Sequence, residues 1–270
     1  MKSRIKLAID VSPGSVPVFR AMAARSRAVQ IVENTGDCTA LITDNVESAM
    51  TAENGPPVLV VNPFGLAAET CQRLADSTQS MPAHTARFMP AIEQVKLMLD
   101  EKKLGEAGLL RIHCWNPKAE NKETLAREVD LALWMFGSLP SEVYGLERPG
   151  YVQVHLGFER GGMAIIDLDA AIPPGNEYYS LSMIGSTGAA YADDHHNFNL
   201  LMGQDDTSVL LASQGDTTLV AMIDNFATAV REGGPFSPSW SDTKAAQYVA
   251  DQVRVSAQQQ AVVTTGGSHV

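Results

Sequence analysis

The length, composition and charge of this chain argue against several classes of protein. Its 270 residues are 45% hydrophobic and 19% charged, which is typical of a globular protein with one large domain or two modest ones. The formal net charge of −11 argues against a nucleic-acid partner, since binding a phosphate backbone needs a basic surface. No apolar segment approaches the roughly 20 residues of a membrane span, and no signal peptide is recognisable.

The cysteines indicate neither a disulfide framework nor a metal site. Cys38, Cys71 and Cys114 are odd in number and far apart in the chain. No pair of them has the spacing of metal ligands. We therefore expect a cytoplasmic protein.

The first eighty residues alternate short apolar runs with helical patterns. The patterns predict strands at residues 4–11, 28–32, 39–43 and 58–61, and helices at residues 16–27, 46–52 and 67–77. This alternation predicts a parallel α/β sheet. A dinucleotide-binding fold would carry G-x-G-x-x-G after its first strand, but residues 12–17 read SPGSVP, with one glycine. Glu33 or Asp37 could be the acidic residue that binds a ribose in such a fold. Without the glycines, this match is little better than chance.

The remainder of the chain reads as a second kind of domain. Residues 81–87 resemble a hinge, and a helix follows at residues 89–100. Alternating apolar and polar residues predict an antiparallel sheet of five or more strands, one face packed on helices and the other open. The predicted strands are residues 108–115, 142–146, 151–159, 162–168, 178–186 and 188–193, and two further helices are predicted at residues 216–232 and 242–257.

The helix predicted at residues 123–137 carries the most informative pattern. Its apolar residues recur at helical spacing, and Gly137 ends it. Glu123, Arg127 and Asp130 follow one another at about one helical turn on the opposite face. These charged groups line either a catalytic cleft or a solvated helix face, and the pattern alone does not decide between them.

Several segments in order resemble the glucose–fructose oxidoreductase and inositol dehydrogenase family, usually called Gfo/Idh/MocA. The resemblance covers residues 56–257 and is strongest from His84 onward. The segments that carry it are RFMPAIEQVKLMLDEKKLGEAGLLRIHCW, EVDLALWMFGSLPSEVYGL, LSMIGSTGAAYADD and FATAVREGGPFSPSWSDTKAAQYVADQVRVSA.

The resemblance implies a fold and a reaction. The fold is α/β plus α+β, with a shortened Rossmann-like domain at residues 1–83 and, at residues 84–270, an open, largely antiparallel sheet backed by helices. The family reaction is hydride transfer between NAD or NADP and a sugar or cyclitol. In the family, a lysine in a Glu-Lys-Pro motif and an Asp and a His on the pocket helix assist it, and the open sheet often mediates oligomers.

This sequence departs from that pattern at the reactive positions. Val61 and Asn62 stand where the motif has Glu and Lys, and only Pro63 is retained. Arg127 stands at the histidine position and Glu123 at the aspartate position, whereas Asp130 and Trp134 agree with the pattern. Arginine stays protonated and cannot accept a proton, and asparagine has no charge with which to stabilise an alkoxide. These departures predict that standard dinucleotide binding and hydride transfer have been lost.

The remaining site predictions concern substrate-binding residues, each with a plainer alternative. The residues proposed to bind substrate are His84, Arg87, His113, Trp115, Arg127 and Asp130. His84 and Arg87 could instead pack a hinge loop, and His113 and Trp115 could form a subunit contact. Arg127 could pair with Glu123 or Glu128 on a helix surface. Residues 193–197 (DDHHN) suggest metal, but adjacent strand residues point to opposite faces, so a polar turn is favoured and no metal site is predicted.

Two classes of function follow. The first is a partner or scaffold subunit without the family catalysis, forming homo- or hetero-oligomers through the sheet, in one version with a full-length paralogue. The second is a working enzyme. It would be either an NAD(P)-dependent sugar or cyclitol dehydrogenase, or a cofactor-free lyase or isomerase using His84, Glu123 and Arg127. A small-ligand binding module without turnover is a third possibility.

Overall fold

The chain forms two compact units. The computed structural model describes residues 3–50, 55–77, 79–117, 121–193, 198–202, 207–211 and 214–265. The first unit comprises Met1–Met89 and Gly215–Lys244, and the second comprises Pro90–Gln214 and Ala245–Val270. This division differs from the predicted domains, because a late segment of the chain belongs to the first unit.

The amino-terminal part of the first unit alternates strands and helices. Its strands are β1 (Ile5–Asp10), β2 (Val29–Ile31), β3 (Ala40–Thr43), β4 (Val58–Val60) and β5 (Ser80–Pro82), and its helices are α1 (Val16–Arg25), α2 (Val46–Met50) and α3 (Ala68–Ser77). The five strands are parallel and lie in the order β2-β1-β3-β4-β5. The predicted parallel sheet is therefore present, with its order reversing between β1 and β3.

The rest of the chain holds the second sheet and four more helices. In chain order these are α4 (Pro90–Asp100), β6 (Ala107–Trp115), α5 (Asn121–Phe136), β7 (Glu142–Arg148), β8 (Tyr151–Gly157), β9 (Met163–Asp169), β10 (Tyr178–Gly185), β11 (Ala189–Asp193), β12 (Phe198–Met202), β13 (Thr207–Leu211), α6 (Gln214–Glu232), α7 (Trp240–Gln259) and β14 (Val263–Thr264). Seven strands form one sheet in the order β11-β10-β6-β9-β8-β7-β14. All its neighbours are antiparallel except β6 and β9, which run parallel.

Helix α6 completes the core of the first unit. Its residues Met222 and Phe226 are fully buried in one cluster with Leu7 of β1, Ile42 of β3 and residues of α1. The opposite face of the parallel sheet is covered by α2, α3 and Trp240 at the start of α7. A sheet buried on both faces explains why residues 58–61 read as a continuous apolar run. The predicted domain of residues 84–270 did not anticipate that α6 covers this sheet.

The seven-stranded sheet has one covered face and one open face. Along β6, Leu110, Ile112 and Cys114 are buried, while the residues between them are exposed or half-buried. Strands β8 and β9 show the same alternation, as expected of a half-covered sheet. Helix α5 packs on the covered face against β6 and β9. Helix α7 lies so close to β7 that a Cβ on Gly145 would sit 2.4 Å from the carbonyl oxygen of Val253.

One local prediction requires correction. Residues 81–87, predicted as a hinge, hold the end of β5, which pairs with β4, and a short 3-10 helix at Thr85–Phe88. Strand β5 reads SMP, which lacks the apolar run that marks β4. The alternatives for the polar face of residues 123–137 divide between its members, because Glu123 is exposed whereas Asp130 is 1% exposed.

The three cysteines are free thiols. Cys71 of α3 and Cys114 of β6 are buried, one in each unit, while Cys38 is half-buried. Burial raises the pKa of the Cys71 thiol to about 11. Within the described residues, no helix combines the length and apolarity that crossing a membrane would require.

Candidate functional site

A carboxylate occupies the turn after β1. Asp44, directly after β3, accepts hydrogen bonds from the backbone N–H of Ser12 at 2.8 Å and from the Ser12 hydroxyl. Burial raises the pKa of Asp44, but the bonds from Ser12 lower it by more, so the net shift is downward. The carboxylate therefore remains ionised at neutral pH, beside the carboxyl ends of the neighbouring strands β1 and β3.

Few backbone donors of that turn are left for a ligand. The N–H groups of Ser15 and Val16 bond to the carbonyl oxygen of Ser12, at 2.8 and 3.3 Å. Pro13 and Pro17 have no N–H. After β2, the carboxylate of Glu33 is held by both terminal nitrogens of Arg20, at 2.7 and 2.6 Å.

The turn after β4 begins at a strained residue. Asn62 has a left-handed backbone, φ 55° and ψ 49°, and precedes a 3-10 helix at Pro63–Gly65. Asparagine tolerates this conformation better than most residues. Its neutral amide stands where the resemblance implies a lysine.

His84 and Arg87 form a buried polar cluster inside the first unit. The Nε2 atom of His84 lies 2.7 Å from the hydroxyl of Thr243, and the ring packs against Phe64 with centroids 4.6 Å apart. Arg87 lies 3.3 Å from a carboxylate oxygen of Asp242. Both predicted residues are at least nine-tenths buried. Their described contacts connect β5 and the turn after it to the start of α7.

Arg127 belongs to a charged network on the covered face of the second sheet. Its guanidinium donates to the Glu128 carboxylate at 2.7 Å and contacts the sulfur of Cys114 at 3.4 Å. The hydroxyl of Tyr179 donates to the other oxygen of Glu128 at 3.0 Å. Tyr179 and Cys114 are partners in the register of β10 and β6, so the strands bring both side chains to the helix.

The charges and burial of this network raise the pKa values of Arg127 and Tyr179. The Glu128 carboxylate raises the pKa of Arg127 above its already high ordinary value. Burial, and then the same carboxylate, raise the pKa of Tyr179 well above its ordinary value. At neutral pH Arg127 is therefore a guanidinium cation that cannot act as a base, and Tyr179 is a neutral phenol.

The other charged or aromatic positions of α5 are arranged differently. Glu123 is exposed in the first turn of α5, whereas Asp130 is buried. Trp134 is half-buried, and the ammonium group of Lys96 lies 5.7 Å from its ring centroid, within the range of a cation–π contact.

His113 and Trp115 lie on the open face of the sheet, in a group that we call the open-face cluster. This cluster consists of His113, Trp115, Tyr151, Gln153, Asp167 and Tyr178. Tyr151 and Gln153 donate to one oxygen of Asp167, at 3.1 and 2.9 Å. The Nδ1 atom of His113 lies 3.1 Å from the other oxygen, without the alignment of a hydrogen bond.

The aromatic rings of the cluster pack against one another. Trp115 and Tyr178 have ring centroids 5.3 Å apart, and His113 lies 6.0 Å from Trp115. Trp115 remains 37% exposed. The cluster thus combines an accessible aromatic surface with an oriented carboxylate, a composition that suits either a neutral polar ligand or another protein.

The predicted substrate-binding residues do not form one constellation. His113 and Trp115 lie on the open face, while Arg127 contacts Cys114 on the opposite face of the same strand. The sequence analysis missed Asp44, Asp167 and Tyr179. It gave pairing of Arg127 with Glu123 or Glu128 as an alternative, and the structure shows the pair with Glu128. The contact of Glu128 with Tyr179 depends on a strand register that periodicity cannot give.

Two further features of the described chain carry no chemistry. A cavity of about 290 Å³ in the first unit is lined by Gln79, Ala229, Val230, Gly233, Gly234 and Phe236, without a titratable side chain. Across the residues that the structure describes, no three His, Cys, Asp or Glu side chains are grouped as metal ligands. Residues 194–197 of the predicted polar cluster lie outside those residues.

Comparison with known proteins shows which of them this chain is similar to. No known family's sequence model matches the chain. The rhizopine catabolism protein MocA of Rhizobium meliloti is 24% identical over 227 residues, covering 74% of this chain and 68% of that protein. A myo-inositol dehydrogenase from Corynebacterium glutamicum has the same fold, with a TM-score of 0.81 at 17% identity, covering 98% of this chain and all of that one. The chain is thus similar in sequence to MocA and has the fold of the inositol dehydrogenases.

Some structures with this fold contain a cofactor. A scyllo-inositol dehydrogenase from Lactobacillus casei, solved with bound NAD(H) and scyllo-inositol, has a TM-score of 0.76 at 14% identity. It covers 97% of this chain and 99% of that one. In this chain the turn after β1 does not fit the usual pyrophosphate cradle, because most of its backbone donors are bonded or missing and Asp44 adds a negative charge.

Proposed function

We propose that this chain is a non-catalytic member of the Gfo/Idh/MocA oxidoreductase family and serves as a partner or scaffold subunit. The observation that carries the proposal is the state of Arg127, which stands at the position of the family histidine. Hydride removal from an alcohol needs a base that can take the hydroxyl proton near working pH. Arg127 is a permanent cation held by Glu128, so it cannot supply that base.

Two other features support the loss of the family reaction. The Asn62 amide has no charge with which to stabilise a developing alkoxide, unlike a lysine at that place. The turn after β1 presents the ionised Asp44 where a pyrophosphate would need free donors.

The open face of the seven-stranded sheet supports the role in assembly. Six of the seven strands have about seven residues, and together they present a surface of about 30 Å by 23 Å. Burying that area on two chains approaches the roughly 1,200–2,000 Å² of a standard specific interface. Large side chains on this face are well exposed, among them Trp115, Tyr144, Met163, Ile184 and Tyr191. We propose that the same face of a second copy covers it, as a two-fold axis would produce.

The loss of catalysis is tested with the purified full chain. Calorimetric titration with NAD(H) and NADP(H) should give no binding in the micromolar range. A panel of inositols, chosen because relatives are inositol dehydrogenases, should give no change in nicotinamide absorbance. Micromolar dinucleotide binding, with or without turnover, would refute the proposal.

The assembly is tested by sedimentation at several concentrations. We expect a dimer that the Ile184→Asp substitution weakens by at least about tenfold, because a carboxylate would be buried without a partner. Val18→Asp is the matched control, since Val18 is a comparably exposed apolar residue on α1. A monomer at all concentrations, or association only with a different chain, would contradict docking on a second copy.

A working NAD(P)-dependent dehydrogenase is the second candidate. The fold match over 97% of the chain to an enzyme solved with NAD(H) favours it. It would require a nonstandard nucleotide loop and a base other than Arg127. Turnover of an inositol that depends on added NAD(H) or NADP(H) would favour this candidate.

A further inference from the structure

The crevice between β1 and β3 is the place where a parallel sheet of this topology binds its ligand. The strand order reverses there, since β2 lies on one side of β1 while β3, β4 and β5 lie on the other. In open α/β sheets, ligands bind outside the carboxyl ends of the strands at such a switch point. Ser12 follows β1 and Asp44 follows β3, so their hydrogen bonds connect the two strands across this crevice.

The Asp44 carboxylate makes the contacts that a ligand oxygen would make. One of its oxygens accepts from both the N–H and the hydroxyl of Ser12. A phosphate bound after the first strand uses the same kinds of donor, backbone N–H and hydroxyl groups at the start of a helix. Helix α1 starts four residues later, at Val16, and runs for ten residues.

We propose that Asp44 is an internal anion that occupies the phosphate position of this crevice and makes it reject phosphate-containing ligands. The inference rests on the proposed loss of standard dinucleotide binding and assigns that loss to one residue. Two effects act together. The carboxylate uses the Ser12 donors, and its charge repels a second anion at close range.

The charge persists under ordinary conditions. Hydrogen bonds from Ser12 hold the pKa of Asp44 below its usual range, so the group is ionised throughout the neutral range. No cationic side chain bonds to Asp44 among the contacts described for this turn.

The test is a gain of binding. Asp44→Asn removes the charge while keeping the size of the side chain, and Asp44→Ala also vacates its place. Calorimetry with inorganic pyrophosphate, ADP and NADH should show at least about tenfold tighter binding to both variants than to the unchanged chain. If occupancy matters as well as charge, Asp44→Ala should bind more tightly than Asp44→Asn.

Asp37→Asn is the matched control. It changes the net charge equally, but Asp37 precedes β3 and therefore lies at the opposite edge of the sheet. We expect no gain of binding from it. Thermal unfolding of each variant verifies that it is folded before binding is compared.

The outcomes separate this inference from the proposed function. Variants that fold but bind no more tightly than the unchanged chain would overturn the role of Asp44 and leave the proposed function intact. An equal gain from Asp37→Asn would also overturn it. Micromolar NADH binding by the unchanged chain would instead contradict the proposed function itself.

Discussion

The pair of Arg127 and Glu128 combines a half-exposed cation with a fully buried carboxylate. The Arg127 side chain is 36% exposed, whereas Glu128 has no exposed surface. A buried carboxylate needs its partners, because an unpaired charge in the interior is costly. Glu128 has two described partners, the guanidinium and the Tyr179 hydroxyl. Arg127 therefore gives a buried acid a permanent counter-ion.

Removing the Arg127 guanidinium should destabilise the fold. Breaking a fully buried ion pair costs about 3–5 kcal/mol, and because water screens part of Arg127 we expect about 2 kcal/mol for Arg127→Ala. Urea denaturation measures this change in the free energy of unfolding. The control is Arg111→Ala, at an exposed position of β6. The double variant with Arg127→Met and Glu128→Leu should recover the lost stability. A double variant as unstable as Arg127→Ala would contradict this account.

Tyr179 should make the fold sensitive to alkaline pH. Its folded pKa is raised, so the folded chain keeps the phenol proton to higher pH than the unfolded chain, which loses it near pH 10. This contribution to stability is complete below about pH 10 and is lost as pH rises through the folded pKa. When the free energy of unfolding is measured with urea from about pH 8 to 11, it should decline less with rising pH in Tyr179→Phe than in the unchanged chain. The exposed Tyr144→Phe should show no such difference, and an equal effect of both variants would contradict the assignment.

At the scale of single residues, the sequence indicates what a side chain can do chemically but not which other side chains it contacts. The resemblance places Arg127 and Asn62 at the family's histidine and lysine positions, which stays a prediction, and their residue types then decide what each can do chemically. The sequence did not predict that Asp44 bonds to Ser12 or that Tyr179 bonds to Glu128. Both contacts depend on strand order and register, which arise from the packing of the whole unit.

At the scale of elements, the covered face of the second sheet depends on a close approach of α7 to β7. The N–H of Gly145 donates to the Ser256 hydroxyl at 3.0 Å, and that hydroxyl donates to the carbonyl oxygen of Ala261 at 2.6 Å. A Cβ on Gly145 would lie 2.4 Å from the carbonyl oxygen of Val253, which is backbone and cannot rotate away. The glycine thus sets the distance between strand and helix.

Gly145→Ala should therefore destabilise the second unit by about 2 kcal/mol or more, in the range of overpacked sites. Gly157→Ala is the matched control on the neighbouring strand, because its added Cβ would meet nothing closer than 3.6 Å. Thermal unfolding compares the two variants. Equal melting temperatures would show that α7 moves away at little cost.

Element prediction succeeded where a pattern spans several residues. Helices α4, α5 and α7 were predicted to within a few residues, since two or more turns give a clear period. Strand β5 reads SMP and was missed, because it lacks the apolar run that marks β4. The parallel pairing of β6 with β9 also escaped prediction, because alternation specifies which face is buried but not the direction of the neighbouring strand.

At the scale of the whole molecule, the first unit is built from two separate parts of the chain. Phe226 of α6 is fully buried among residues of β1, β3 and α1. The Ser26 hydroxyl also donates to the Asp224 carboxylate, and Arg25 pairs with Asp216 at 2.9 Å. The sequence could not predict this arrangement, because an amphipathic helix does not specify which sheet it covers.

We expect residues 1–89 alone to remain unfolded and the same segment linked to residues 215–244 to fold. Without α6, one face of the parallel sheet would expose its apolar residues to water. Circular dichroism and amide proton dispersion in NMR measure the difference. Phe226→Ala in the linked form should cost about 3–5 kcal/mol. A folded 1–89 fragment would show that the predicted boundary near residue 83 is a true domain boundary.

The distribution of the buried cysteines has a practical consequence for kinetics. Cys71 lies in the first unit and Cys114 in the second, so each unit contains one thiol that reagents reach only when the structure opens. Mass spectrometry after timed alkylation would therefore record two opening rates from one unmodified sample. Cys38, half-buried in the first unit, would report local accessibility instead. The chain thus carries its own probes for asking whether the two units open together or independently.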